Sequence, residues 1–310
     1  MSKAIREIYG EALSEMGDYN QNLVVLDADV SGSTKSNIFA KKHSDRFFNM
    51  GIAEANMIAT AAGLATIGKI PFANTFAVFI GTAGLLATRG QVCYGNLNVK
   101  LAGAYCGLSD AFDGATHHAC EDIAAMRALP NMKIFVPSDA YSTRELTKLA
   151  ADTSGPVYLR LSRDSYPDLY ENDQFQVGGS KTVRHGRDAV IFACGILVHK
   201  ALEAADILQQ RGLEVEVIDM YSVKPLDEDT VIEAARRTGA VVCAEEHSVI
   251  GGLGSAVAQV LARNAIGVPT EFIGVQDVFT ETGNYSSLLE KYGLDAKAVA
   301  VASEKAINRK

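Results

Sequence analysis

The stretch Leu23-Val24-Val25-Leu26-Asp27-Ala28-Asp29-Val30-Ser31-Gly32-Ser33-Thr34 passes from a β-branched apolar run to two acids and then to small hydroxyl residues. A continuous apolar run of this length reads as a strand buried on both faces, the pattern of a parallel sheet. On its own, the polar part that follows also reads as a turn and a helix cap. Working outward, the same motif of short apolar run and Ala/Leu-rich helical stretch recurs. Further strands are predicted at Arg46-Phe47-Phe48, Ile70-Pro71-Phe72-Ala73, Val99-Lys100-Leu101-Ala102, Lys133-Ile134-Phe135-Val136 and Val157-Tyr158-Leu159. Alternation of this kind specifies parallel sheets with crossover helices.

From Ser162 to Arg187 the pattern lapses into a polar stretch containing Pro167, Gly178, Gly179 and Gly186, the composition of an interdomain linker. A second set follows, with strands at Ala189-Ala193, Val215-Asp219, Ala240-Ala244 and Glu271-Ile273, and helices at His199-Gln210, Asp227-Thr238 and Ser255-Asn264. The expected architecture is α/β with two doubly wound domains, residues 1–165 and 189–310, joined by a linker at 166–188. No internal repeat or low-complexity tract interrupts it.

Bulk properties narrow the function classes. The chain has 310 residues, 48% hydrophobic and 21% charged, which suits folded domains with cores of their own. A net charge of -8 disfavours nucleic acid and anionic membrane as partners. No uncharged run reaches the length of a membrane span, and the charged start Met1-Ser2-Lys3-Ala4-Ile5-Arg6-Glu7 does not read as a signal peptide. Five scattered cysteines in apolar surroundings point to a reducing, cytoplasmic setting.

Open parallel sheets build their sites beyond the carboxyl ends of the strands, and there the unusual residues fall. Phe47-Phe48-Asn49-Met50-Gly51-Ile52-Ala53-Glu54-Ala55-Asn56-Met57 leads to a lone acid in an Ala-rich helix. Apolar flanks are expected to desolvate Glu54 and raise its pKa towards the range of a general acid/base; a plain helix-dipole role for the acid is the alternative. In Asn74-Thr75-Phe76-Ala77-Val78-Phe79 the two rings share a face if the segment is helical, as core packing or as a stacking platform. The densest polar cluster is Gly107-Leu108-Ser109-Asp110-Ala111-Phe112-Asp113-Gly114-Ala115-Thr116-His117-His118, which packing does not explain.

Three other motifs are set aside. Cys106, His117, His118 and Cys120 lack the spacing of a zinc knuckle. Gly63-Leu64-Ala65-Thr66-Ile67-Gly68-Lys69 has a phosphate-loop spacing, but Ile70 replaces the required hydroxyl and a strand follows where one should precede. Gly252-Leu253-Gly254-Ser255 has Val257 in place of the third glycine of a dinucleotide fingerprint, and reads as a tight strand-to-helix turn.

Taken in order, the acid-bearing strand end at Asp29, the run ending in Glu54, Thr-Phe-Ala-Val-Phe ending at Phe79, Asp-Gly-Ala-Thr-His from Asp113 to His117, and Leu-Ser-Arg ending at Arg163 resemble the second half of transketolase, from about residue 3 to the C-terminus. The resemblance implies a thiamine-diphosphate pyrimidine-binding domain followed by a transketolase C-terminal domain, the latter mainly supplying dimer surface. It implies transfer of a two-carbon ketol unit from a ketose or its phosphate to an aldose. In the family the glutamate matching Glu54 hydrogen-bonds N1' of the aminopyrimidine and promotes loss of the C2 proton. Phe79, with Phe76 beside it, matches the ring stacked on the aminopyrimidine, and Asp29 an acid near the cofactor. Asp113 and His117 match residues on the donor's hydroxyls, His117 serving the reaction as well. Arg6, Ser33 and Arg163 match positions that hold a distal phosphate, for which the arginine fork is suited.

Two residues depart from the family pattern. Tyr105 stands where a phosphate-contacting histidine aligns, and Phe112 where a glutamate faces the partner cofactor across the dimer. The Gly-Asp-Gly start of the family's diphosphate and Mg²⁺ site is missing; Gly17-Asp18 is followed by Tyr19. The expectation is therefore the C-terminal subunit of a split transketolase, with no metal ligands of its own. An N-terminal subunit would bring the diphosphate site and the Mg²⁺ ligands, most simply in an α2β2 assembly acting on sugar phosphates. A 2-oxo acid dehydrogenase beta subunit shares the layout and the glutamate but has no use for Asp113, His117 or the arginines. Similarity to 1-deoxyxylulose-5-phosphate synthase is visible in Gly-Ile-Ala-Glu and Asp-Gly-Ala-Thr-His-His, though that enzyme carries both halves in one chain. A non-catalytic α/β binding module is the reading from a different class.

Overall fold

A computed structural model describes residues 3–310. Its strands are β1 (Leu23–Asp27), β2 (Phe47–Asn49), β3 (Ile70–Phe76), β4 (Lys100–Ala104), β5 (Lys133–Phe135), β6 (Val157–Arg160), β7 (Lys181–Arg184), β8 (Ala189–Ala193), β9 (Val215–Asp219), β10 (Ser222–Lys224), β11 (Val241–Ser248) and β12 (Thr270–Val275). They form a seven-stranded sheet ordered β10-β5-β6-β4-β3-β1-β2 and a five-stranded sheet ordered β12-β11-β8-β9-β7. Ladders within the first six strands are all parallel, as their unbroken apolar runs require. Strand β1 pairs with β2 on one side and β3 on the other, so the winding reverses beside Asp27, which sits opposite both Asn49 and Asn74. That reversal is where doubly wound sheets open a crevice for ligands.

The structure adds elements that the apolar pattern did not indicate. Lys181–Arg184, inside the stretch 166–188 expected as linker, forms the antiparallel edge strand β7 against β9. Strand β10 leaves the second half of the chain and pairs antiparallel with β5, closing the edge of the first sheet. Helices Tyr285–Lys291 and Ala296–Ile307 complete the second half. The core runs across both halves: one connected cluster holds Phe135, Leu146 and Leu161 together with Ile196, Leu197 and Tyr221.

A buried ionic knot ties the halves together. The Arg160 guanidinium donates through Nε and Nη2 to the two carboxylate oxygens of Asp122, at 2.8 and 3.1 Å, and from Nη2 to the carbonyls of Ala119 and Glu246. Both side chains are almost wholly buried. The Gly252-Leu253-Gly254 turn opens helix Leu253–Arg263, and the free amides of its first turn are already occupied: Leu253 and Gly254 N–H both donate to the Glu245 carboxylate, at 2.7 and 2.8 Å. An internal carboxylate thus fills the place where such a turn would receive a phosphate. Among the described residues no helix is long and apolar enough to cross a membrane.

Candidate active site at the carboxyl edge of the first sheet

The ends of β1, β2, β3, β4 and β6 and the connections after them, at one edge of the sheet, carry the sequence-predicted site residues except Arg6, which lies near the start of helix Ile5–Tyr19. After β1 the two acids separate. Asp27 is buried and accepts from Val30 N–H and from the Thr34 and Ser36 hydroxyls at 2.6, 2.7 and 2.8 Å, so it folds the loop. Burial pushes its pKa up. Asp29, held in the left-handed region at φ 67°, is exposed and accepts from Asn49 Nδ2 at 2.8 Å.

Glu54 is the first residue of helix Glu54–Thr66, whose buried face is Met57, Ile58, Ala61 and Ala62. The acid stands one turn ahead of that face, at the rim. Contrary to the desolvation expected from its flanks, Ile52 is 83% exposed, Ala55 is exposed as well, and Glu54 itself is half-buried. It has no hydrogen-bond or ion-pair partner among the described residues, and no ring or polar contact links it to the cluster described next. Only a second surface can bury it further.

The remaining predicted residues converge. Phe76 ends β3 and Phe79 lies in the helix Ala77–Gly81 that follows; their rings stack 5.9 Å apart at 24°. His117 meets both rings edge-on, at 5.4 Å from Phe79 and 6.1 Å from Phe76. Phe76 also packs on Tyr105, 4.6 Å away. Tyr105, at φ 58° directly after β4, is the hub: the Arg6 and Arg163 guanidiniums sit 5.3 and 5.4 Å from its ring. Arg6 turns its donors inward, Nε to the Arg163 carbonyl at 3.1 Å and Nη1 to the Ser33 carbonyl and the Tyr105 hydroxyl at 3.2 and 2.6 Å. Ser33 therefore meets Arg6 through its backbone rather than its hydroxyl.

The loop between β4 and helix Asp122–Arg127 separates the two adjacent histidines. His118 is buried: its Nε2–H donates to the Asp110 carbonyl at 3.2 Å, leaving Nδ1 to accept the Thr280 hydroxyl at 2.6 Å. Burial pushes its pKa down, consistent with the neutral ring those bonds need. His117 and Asp113 remain open to the site, and Phe112 is 63% exposed. Asp110, which the pattern did not single out within the polar run, is 3% exposed with its nearest cation, Arg163 Nη1, 4.0 Å away. Its position three residues before Asp113 in a run of small residues was the available signal.

A half-buried carboxylate without a partner and an aromatic step with one open ring fit the aminopyrimidine of thiamine diphosphate. Among the described residues no three His, Cys, Asp or Glu side chains converge as a metal centre requires.

Known proteins share the two-domain organisation. The family described as transketolase, pyrimidine binding domain, matches residues 1–168, and that described as transketolase, C-terminal domain, matches residues 178–299. A solved structure described as a split gene transketolase, an inactive β4 tetramer, is similar over the whole of both chains at 49% identity and a TM-score of 0.92. The 6-deoxy-6-sulfo-D-fructose transketolase subunit SqwH of Clostridium sp. (strain MSTE9) is 40% identical over 99% of this chain and 95% of its own length. One subunit of the apulose-4-phosphate transketolase of Phocaeicola vulgatus is 37% identical over 96% of this chain and 95% of its own length. With its two domains in this order, the chain belongs to the transketolase family as a pyrimidine-binding domain followed by a C-terminal domain.

Proposed function

We propose that this chain is the C-terminal subunit of a split transketolase, active when joined to a separate chain that carries the diphosphate-binding domain and the Mg²⁺ ligands. The observation that carries the reading is Glu54, an unpartnered acid at an open rim. Its surroundings become complete only when another surface closes over Ile52 and Glu54. The subunit length shared with the two curated relatives supports the same division of labour. The similar tetramer, described as inactive β4, supports self-association of such a chain, and the working assembly with the partner is proposed as α2β2.

In the complex, thiamine diphosphate supplies the electron sink for cleaving and forming the carbon–carbon bond next to the donor carbonyl. Glu54 would hold a proton at N1' of the aminopyrimidine; Phe79, supported by Phe76, would stack on that ring, and Asp29 would help to orient it. Asp113 accepts hydrogen bonds from the donor's hydroxyls, and His117 hydrogen-bonds a hydroxyl there and also serves proton transfer at the substrate oxygen. Arg6, Ser33 and Arg163, gathered around Tyr105, meet the distal end of the sugar. The edge-on packing of His117 on both phenylalanines fixes its ring relative to the stacking platform. A cytoplasmic location suits the free cysteines.

Calorimetric titration of thiamine diphosphate with Mg²⁺ tests the proposal. Binding is expected only when this chain is mixed with its partner chain; tight binding to this chain alone would overturn the shared site.

A further inference from the structure

The proposed function gives roles to Asp29 and Glu54 but none to Asn49, which ends β2 beside the end of β1 and is exposed. Its amide is engaged at both atoms: Nδ2 donates to Asp29 Oδ1 at 2.8 Å, and Oδ1 accepts the Gly51 N–H at 3.0 Å. A carboxylate can only accept and a backbone amide can only donate, so the two partners fix which way the side chain faces. The bond to Gly51 is a local turn of the kind asparagine favours, here leading into a glycine at φ 70°. The bond to Asp29 spans twenty residues and joins two loops, which the turn alone does not require.

Both ends of this bridge are weakly held otherwise. Asp29 stands at φ 67° just past β1, and its carboxylate has no other hydrogen-bond partner among the described residues. Helix Glu54–Thr66 begins without a side-chain cap, Ala53 having nothing to offer its first amides. The entry into Glu54 is therefore set by the turn ahead of it. Two bonds hold that turn: Met50 N–H to the Asp27 carbonyl at 2.8 Å, and Gly51 N–H to Asn49.

We propose that Asn49 is a positioning residue for the cofactor face: one amide orients Asp29 and sets the turn that delivers Glu54, so the loops bearing the two acids are tied together before a second subunit closes over them. This rests on the reading of Asp29 and Glu54 as groups that meet the aminopyrimidine. Exposed bonds of this kind compete with water and add little to the stability of the free chain. Their contribution is preorganisation, felt when one ring has to meet both acids in a single geometry.

The test uses the full complex of this chain with its partner, thiamine diphosphate and Mg²⁺. Asn49→Ala is expected to weaken calorimetric cofactor affinity and to lower kcat, each by about tenfold, with donor KM within about twofold of wild type, because Asn49 acts on the cofactor face alone. Asn49→Asp keeps an acceptor for Gly51 but sets a like charge against Asp29, and should weaken cofactor affinity as well. Adding Asp29→Asn to it places a donor opposite an acceptor again, and is expected to recover part of that affinity. Wild-type affinity and kcat in Asn49→Ala overturn the inference, as does a loss in Asn49→Asp that Asp29→Asn leaves unrelieved, the mark of a role confined to the turn. Glu54→Gln separates the two levels. If it cuts turnover while Asn49→Ala changes neither affinity nor kcat, the inference alone fails; if Glu54→Gln itself keeps wild-type turnover, the cofactor-face reading fails and the inference with it.

Discussion

Glu246 Oε1, at the end of strand β11, accepts the backbone N–H of Leu108 at 2.8 Å. A carboxylate from the second half of the chain thus anchors the start of the loop that carries Asp113 and His117. Gly283 N–H donates to the Ala111 carbonyl at 3.0 Å, and Thr280 holds His118 at the far end. The second half therefore does more than the dimer surface expected of it: it holds the loop of Asp113 and His117 at its start, middle and end.

Replacing Thr280 by Val deletes the hydroxyl and leaves His118 Nδ1 buried without a donor, while Ser restores it. Thr280→Val is expected to raise the donor KM several-fold and to speed amide exchange across residues 109–118. Thr280→Ser should do neither. Hydrogen-exchange mass spectrometry of the full chain reads the loop directly.

Gly107 sits at φ 58° with the Glu246 carboxyl where a side chain would begin. Gly107→Ala combines a disfavoured backbone region with a clash, and is expected to cost about 1–3 kcal/mol. Urea denaturation of the variant would show it as a lower midpoint at unchanged slope.

Glu54→Gln in the reconstituted complex removes the proton-holding carboxylate with little change of shape. Turnover is expected to fall by about 10²–10⁴-fold, the usual worth of a positioned acid/base. Calorimetric affinity for the cofactor should change far less. Turnover within twofold of wild type would remove Glu54 from the mechanism.

Arg160 and Asp122 form a buried pair whose other hydrogen bonds are also satisfied. Arg160→Met strands the Asp122 charge, which in buried pairs costs about 3–5 kcal/mol. Chemical denaturation checks this, and the combined substitution with Asp122→Leu should recover much of the loss.

Asp219 is buried at the end of β9, where it accepts the Tyr170 hydroxyl at 2.7 Å. Burial raises its pKa from an ordinary 3.8 to about 7. Between those values the folded chain keeps a proton that the unfolded chain has lost, so this group makes stability fall as pH rises through the window. Asp219→Asn removes that slope. Its melting temperature should gain on wild type progressively from pH 4 to 7 and then stay level above.

Much of this architecture was legible because parallel strands buried on both faces announce themselves as apolar runs: Leu23–Asp27, Ala189–Ala193 and Val215–Asp219 emerge within a residue of expectation. Edge strands β7 and β10 did not, since an edge pairs on one side and Lys181–Arg184 needs no apolar run. The order of polar runs put the candidate residues at the carboxyl edge of the first sheet, where the structure has most of them. What sequence could not give was direction in space. Asp27 and Asp29 look alike until one turns inward to cap its own loop, as do His117 and His118. Tyr105 looked like a lost phosphate ligand, and its place between two arginines depends on a left-handed residue following a strand. The flanks of Glu54 were apolar as read, but apolar residues at a rim shield nothing until a neighbour covers them.

Strand β10 bears on how this chain can be divided. Because Ser222–Lys224 completes a sheet otherwise made from residues 23–160, a cut between the family domains would strip β5 of its neighbour and bare a row of unpaired amides and carbonyls. The two halves are modules by ancestry but not by assembly. An engineer seeking to graft this pyrimidine-binding domain onto another subunit would have to carry along a three-residue passenger from the other side of the polypeptide, or supply a substitute to seal the seam.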